Sequence, residues 1–213
     1  MKNNEQLEIL SRPTLEGIAS RANEIAKVGS LEKFISLNKD KNLSVCLSEA
    51  LVLGLLRQGI SKYLVIFGHG STHLGEILRI YTEAGVTKVF NFRNEVEMAH
   101  AGTALSWVYG EGCAVVTSIG PGALQAMSGS LAAASNGVGL YHIYGDETTY
   151  GEGYNMQQIP KPEQNLYGQL TALMGKSYVL HTPEAIRQAL RYGAQTVFNP
   201  FRSEEHTSEL QSH

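Results

Sequence analysis

From residue 43 to about 198, short, largely apolar runs alternate with longer runs of helical periodicity, and this alternation limits the fold more than any other feature of the sequence. KYLVIF (62–67), VTKVFNF (86–92), GCAVVTS (112–118) and VGLYHIYG (138–145) read as strands. Between them lie helical stretches: SVCLSEALVLGLLRQG before the first strand, then STHLGEILRIYTEAG, NEVEMAHAGTALSWVYG and PGALQAMSGSLAAASNG. Gly59 and Gly85 stand where a helix is commonly closed by a glycine. KSYVLH and PEAIRQALRYGAQTVF are expected to add one more strand and one more helix. Short apolar strands spaced by helices need cover on both faces, which predicts an α/β fold. Right-handed crossovers then make it a doubly wound parallel sheet with helices on both faces. In such sheets ligands bind beyond the carboxyl ends of the strands.

The rest of the chain divides around this block. Residues 1–42 are polar and helical in character, with Leu15, Ile18, Ala22 and Ile25 at helical spacing after Pro13. They are expected to form a helical N-terminal extension and linker, packed on the domain or on a partner subunit. Residues 43–201 form the expected domain. Residues 202–213, RSEEHTSELQSH, have no apolar period and resemble the in-frame translation of a sequencing adapter. They are expected to be a disordered artefact, with the natural protein continuing beyond Phe201. A net charge of −3 gives no reason to expect a nucleic-acid partner. No apolar run approaches the ~20 residues of a bilayer span, and MKNNEQLEIL has no signal-peptide core. Two cysteines, Cys46 and Cys113, make neither a disulfide scaffold nor a four-ligand zinc site. The expectation is a cytoplasmic protein without membrane contact.

Three turns at strand ends carry residues suited to chemistry. Phe67-Gly68-His69-Gly70-Ser71 follows the first strand, where glycines let backbone approach a ligand at a helix N-terminus. Arg93-Asn94-Glu95-Val96-Glu97 follows the second, with Asn94 a candidate N-cap and Glu95 in the helix's first turn. A glutamate there is often a dipole partner alone. Glu97, two residues further on, points elsewhere on the helix. Thr117-Ser118-Ile119-Gly120-Pro121-Gly122-Ala123 follows the third strand and makes a tight, rigid turn. At least one of its glycines is expected to need a conformation or closeness that a side chain forbids. Two rival chemistries are weak. His69 and His73 have a helical ligand spacing but no HExxH accompanies them, and Ser118 lacks the Gly-x-Ser-x-Gly setting of a nucleophile.

Together these motifs resemble the N-terminal pyrimidine-binding domain of thiamine diphosphate enzymes of the acetolactate synthase type. In that family a strand is followed by Arg-His-Glu-Gln-x-x-x-His-x-Ala. Here the string is Arg93-Asn94-Glu95-Val96, with His100 five residues after Glu95. The family's Thr-Ser-x-Gly-Pro-Gly-Ala corresponds to residues 117–123. The Gly-His-Gly and Ser-Ile-Gly-Pro-Gly variants are most similar to the trihydroxycyclohexanedione hydrolase branch of inositol breakdown. The resemblance implies a catalytic Glu95 that shares a proton with the cofactor's aminopyrimidine ring. Enclosure by apolar residues such as Met98 would raise the carboxyl's pKa. It implies cofactor contacts from Gly68, His69, Gly70, Asn94, Ser118, Gly120, Pro121, Gly122 and Gln125.

The chain departs from the family at Asn94, which replaces a histidine and cannot titrate, and at Val96, which replaces glutamine. The diphosphate half-site, Gly-Asp-Gly followed later by Asn-Asn, is missing. Gly145-Asp146-Glu147 reads instead as the loop after the fourth strand, with Asn155 too close to it. No metal site is therefore expected on this chain, and magnesium would be held by a further domain. The implied partners are a small carbonyl substrate and a second subunit of a homodimer or homotetramer. The reaction would be a carboligation, a decarboxylation or a C–C bond hydrolysis, with the isolated domain inactive. The alternative is a stand-alone flavodoxin-like binding or regulatory module without catalysis.

Overall fold

The computed structural model describes residues 13–40, 42–145, 177–180 and 183–198. Its elements follow in the order α1 (Leu15–Val28), α2 (Leu31–Leu37), α3 (Leu47–Arg57), β1 (Lys62–Ile66), α4 (Thr72–Glu83), β2 (Lys88–Asn91), α5 (Glu95–Tyr109), β3 (Cys113–Thr117), α6 (Pro121–Ser135), β4 (Tyr141–Tyr144) and α7 (Ala185–Phe198). The four strands form one parallel sheet in the order β2-β1-β3-β4. Lys62 pairs with Lys88 on one side and with Cys113 on the other. The chain thus leaves β1 outward to β2, then crosses back to β3 and continues outward to β4.

Side chains of β1 and β3 alternate between two cores, as a period of two requires. Tyr63, Val65, Ala114 and Val116 join Ile18, Ala22, Leu55, Ile77, Leu78 and Tyr81 from α1, α3 and α4. Leu64, Cys113 and Val115 join Met98 and Ala126 from α5 and α6. Leu190 of α7 packs against the first core. The fold is the expected α/β, doubly wound parallel sheet with helices on both faces. Gly59 and Gly85 take up positive φ just beyond α3 and α4.

Two features differ from the expectation. The sheet's edge strand β2 is exposed or half-exposed at all four positions, because it has one strand neighbour rather than two. Residues 177–180, from the expected KSYVLH strand, are not in strand conformation. Within the N-terminal 1–42 a second helix, α2, follows α1 and is started by Ser30, whose hydroxyl accepts from Lys33 N at 3.2 Å. The tail 202–213, Asp146, Glu147 and Asn155 lie outside the described residues.

The N-terminal helix α1 is joined to the sheet layer by a buried polar cluster. The Glu49 carboxylate, fully buried in α3, accepts from Arg21 Nε at 2.7 Å and Nη2 at 3.2 Å. The Tyr81 hydroxyl of α4 donates to it at 2.8 Å, and Arg21 Nη2 also donates to the Ser44 carbonyl at 3.0 Å. Every carboxylate oxygen thus has a charged or phenolic donor, the condition under which a buried charge is tolerated. Among the described residues no helix is long and apolar enough to cross a membrane.

Candidate functional site

In a doubly wound sheet the crevice opens where the strand order reverses. Here that point lies between the carboxyl ends of β1 and β3, and the turns after both strands meet across it. The Ser118 hydroxyl donates to the His69 carbonyl at 3.2 Å, and Ile119 N donates to the same oxygen at 3.3 Å. The β1 turn is closed on itself by Ser71. Its hydroxyl accepts from Gly68 N and donates to the Gly68 carbonyl, both at 3.1 Å. A Cβ on Gly68 would stand 2.5 Å from Ser118 Oγ, so the two turns touch because that position has no side chain.

The β3 turn has the strain expected of it at Gly120, where φ is 56° and ψ −117°, a conformation that in practice belongs to glycine. Pro121 follows as the first residue of α6. This geometry aims the start of α6 at the start of α5. A Cβ on Gly122 would lie 3.3 Å from Glu95 Oε1, so the Glu95 carboxylate stands against the Gly-Pro-Gly turn.

Glu95 is half-buried rather than enclosed, although Met98, one turn on, is fully buried. Its carboxylate stands against Gly122, and the residue stays partly accessible. Glu97 is exposed, as its place on the helix requires. Asn94 caps α5, its side-chain oxygen accepting from Val96 N at 2.9 Å and Glu97 N at 3.1 Å. His69, Gly70, Pro121 and Gln125 are exposed around the crevice, and Gly68, Ser118 and Gly122 are half-buried in it. His100 is exposed on α5.

Gly145, which the sequence marks only as the start of a loop after the fourth strand, also shapes this edge. A Cβ on Gly145, just after β4, would collide with the backbone of Gly70, and Gly145 N donates to the Thr117 carbonyl at 3.4 Å. Gly145 therefore adds a third wall to the crevice. Such a contact joins residues far apart in sequence and leaves no local pattern.

The rival chemistries find little support in the geometry. His73 Nδ1 is 2.8 Å from the Ser48 hydroxyl, between the starts of α4 and α3. Among the described residues no group of three or more His, Cys, Asp or Glu is placed to hold a metal ion. Burial pushes the Cys113 thiol up to about 11, which keeps it protonated and unreactive.

Residues 46–166 match the family model described as the thiamine pyrophosphate enzyme N-terminal domain, which binds that cofactor. The chain belongs to this family. No curated protein matches it. The matched stretch includes all three turns of the thiamine diphosphate domain and leaves α1 and α2 outside it.

Proposed function

We propose that this thiamine-binding domain supplies the pyrimidine half-site of an enzyme of the acetolactate synthase type, acting on carbonyl or 2-oxo substrates. The Gly-His-Gly and Ser-Ile-Gly-Pro-Gly variants favour a C–C bond hydrolase of the inositol-breakdown type within it. The observation that carries this reading is the Glu95 carboxylate held against Gly122 at the strand-order reversal. The Gly120–Gly122 turn and the Glu95 carboxylate would together hold the cofactor's pyrimidine. The lack of a Cβ at Gly68 and Gly122 lets Ser118 and Glu95 stand close against the two turns, and the carboxylate so placed fits a group that needs a proton held at its pyrimidine.

When bound, thiamine diphosphate supplies a carbon nucleophile and an electron sink for the carbonyl substrate. Glu95 holds a proton at its carboxylate and passes it to and from the aminopyrimidine ring nitrogen. Gly68, His69, Gly70, Ser118, Gly120, Pro121, Gly122 and Gln125 line or frame the ring's position. Asn94 orients α5, and through it Glu95, by capping the helix. The diphosphate and its magnesium would be held by another domain, and a partner subunit would close the open side of Glu95. The isolated chain is then inactive, in a cytoplasmic setting, and binds the cofactor weakly.

The exposed surface of α5 and α6 supports a homodimer or homotetramer. α6 has no charged residue, and it leaves Leu124 and Leu131 exposed. α5, in the same layer, leaves Trp107 and Val108 exposed.

The test is Glu95→Gln in the holoenzyme. The amide keeps size and hydrogen bonding but cannot relay a proton. Exchange of the cofactor's C2 proton, read by quenched NMR, should slow by about 10²–10⁴-fold with the cofactor still bound. Glu97→Gln should leave exchange near normal. Unimpaired exchange in Glu95→Gln would remove Glu95 from the chemistry.

A further inference from the structure

Tyr141 and Ile143 of β4 pack on the core shared with α1, α3 and α4. Alternation therefore turns His142 toward the opposite face, the one covered by α5 and α6. There His142 Nε2 stands 3.4 Å from the Thr117 hydroxyl, while Nδ1 is buried with no hydrogen-bond partner. Thr117 is itself fully buried and is the last residue of β3. The residue after it is Ser118, which reaches across the crevice to His69. His142 is half-buried, and a ring nitrogen buried without a partner is costly compared with an aliphatic side chain of similar size. Its other nitrogen meets the hydroxyl at the exact point where strand gives way to turn.

We propose that His142 is a positioning residue for the cofactor turn: its Nε2–H donates to Thr117 Oγ1 and fixes the point from which Ser118–Gly122 departs. The purpose of this device rests on the thiamine reading, while its geometry does not. Of the two neutral tautomers, this one leaves a bare lone pair at the buried Nδ1, whereas the other leaves a buried N–H without an acceptor. Burial lowers the His142 pKa to about 4, so the ring is neutral at neutral pH. Of the two helices packed on this face, α6 carries no charged residue, and the titratable groups of α5, Glu95, Glu97 and His100, lie in its first two turns with Glu97 and His100 exposed.

The first measurement is the ring tautomer, read from long-range proton–nitrogen NMR of the chain with labelled histidine. A neutral ring with the proton on Nε2 is expected. A charged ring, or a proton on Nδ1, would overturn the proposal. The second compares His142→Gln, His142→Asn and His142→Leu. Glutamine places an amide nitrogen near the site of Nε2, and asparagine near that of Nδ1. Leucine and asparagine should shift the amide resonances of Ser118, Ile119 and Gly120 in the cofactor-free chain. They should also weaken thiamine diphosphate binding about two- to tenfold, the loss of one hydrogen bond. Glutamine should restore both. Thr117→Val should reproduce His142→Leu, and the double variant should be no worse than either. If glutamine fares no better than leucine, His142 only fills space and the proposal fails. If the unaltered chain does not bind thiamine diphosphate, the function proposed above is at fault. The tautomer and the amide resonances then still decide the role of His142.

Discussion

On one face of the sheet, α1, α4 and α7 turn charged residues to solvent: Glu16, Glu24 and Lys27, then Arg79 and Glu83, then Arg187 and Arg191. Arg79 is paired with both Glu76 at 2.7 Å and Glu83 at 2.6 Å. On the other face, α6 has no charge along its length, and the charges of α5 lie at its start, in Glu95 and Glu97. A surface helix normally carries an apolar stripe inward and a polar face outward; one without that division is normally covered. The first layer is therefore completed by water, and the second is suited to completion by protein. The candidate catalytic Glu95 begins a helix of the second layer. In the reading proposed above, the surface that meets the partner and the surface that holds the cofactor are continuous.

The comparison breaks most severely at the joint of the solvent-facing layer. Arg21→Leu leaves the fully buried Glu49 carboxylate with Tyr81 as its remaining side-chain donor. It should cost about 3–5 kcal/mol in denaturant unfolding. Adding Glu49→Leu should recover much of that loss, since an apolar pair carries no unpaired charge. If Arg21→Leu is neutral, α1 is an accessory rather than part of the first layer.

A smaller effect is expected inside the second layer, where α5 and α6 approach through Gly129. A Cβ there would stand 2.6 Å from the Val96 carbonyl oxygen and 2.9 Å from Ala99 Cβ. Gly129→Ala should cost about 1–3 kcal/mol by the same unfolding measurement, as overpacked positions do. An unchanged midpoint would show that the helix pair has slack, and that Glu95 is held less firmly than its geometry implies.

The smallest effect on folding, and the sharpest test of the contrast, is Leu131→Glu on the outer surface of α6. The chain's own stability should move by no more than about 0.5 kcal/mol. Self-association of the complete enzyme, followed by sedimentation, should be lost. Association at the unaltered concentration would mean that α6 faces solvent after all.

The alternation of strand and helix was readable in the sequence because buried parallel strands leave apolar runs and their crossovers leave a helical period. The Gly-Pro-Gly turn was readable for a local reason, since Gly120 needs a backbone conformation that neighbouring residues cannot relieve. Three kinds of information were not local. Arg21, Glu49 and Tyr81 are polar residues that periodicity assigns to a surface, and their mutual pairing is what permits burial. The contact of Gly145 with Gly70 and that of His142 with Thr117 are distances between strands, which no spacing records. The exposure of β2 follows from its place in the strand order, and its composition alone does not reveal that it has one neighbour. The half-open state of Glu95 belongs to the same class, because enclosure depends on what the rest of the assembly brings.

The strand order also sets how such a chain must come together. β1 is made first and ends in the middle, flanked by β2 and then by β3, so the sheet grows outward from its earliest strand on both sides without rearrangement. Each pairing waits for a whole helix to be synthesised, and parallel pairing is slow for that reason. Until β3 is made, one edge of β1 stays open, and open apolar edges invite pairing between molecules. A chain cut before Cys113 would thus keep a strand meant for the middle of the sheet as its most adhesive surface.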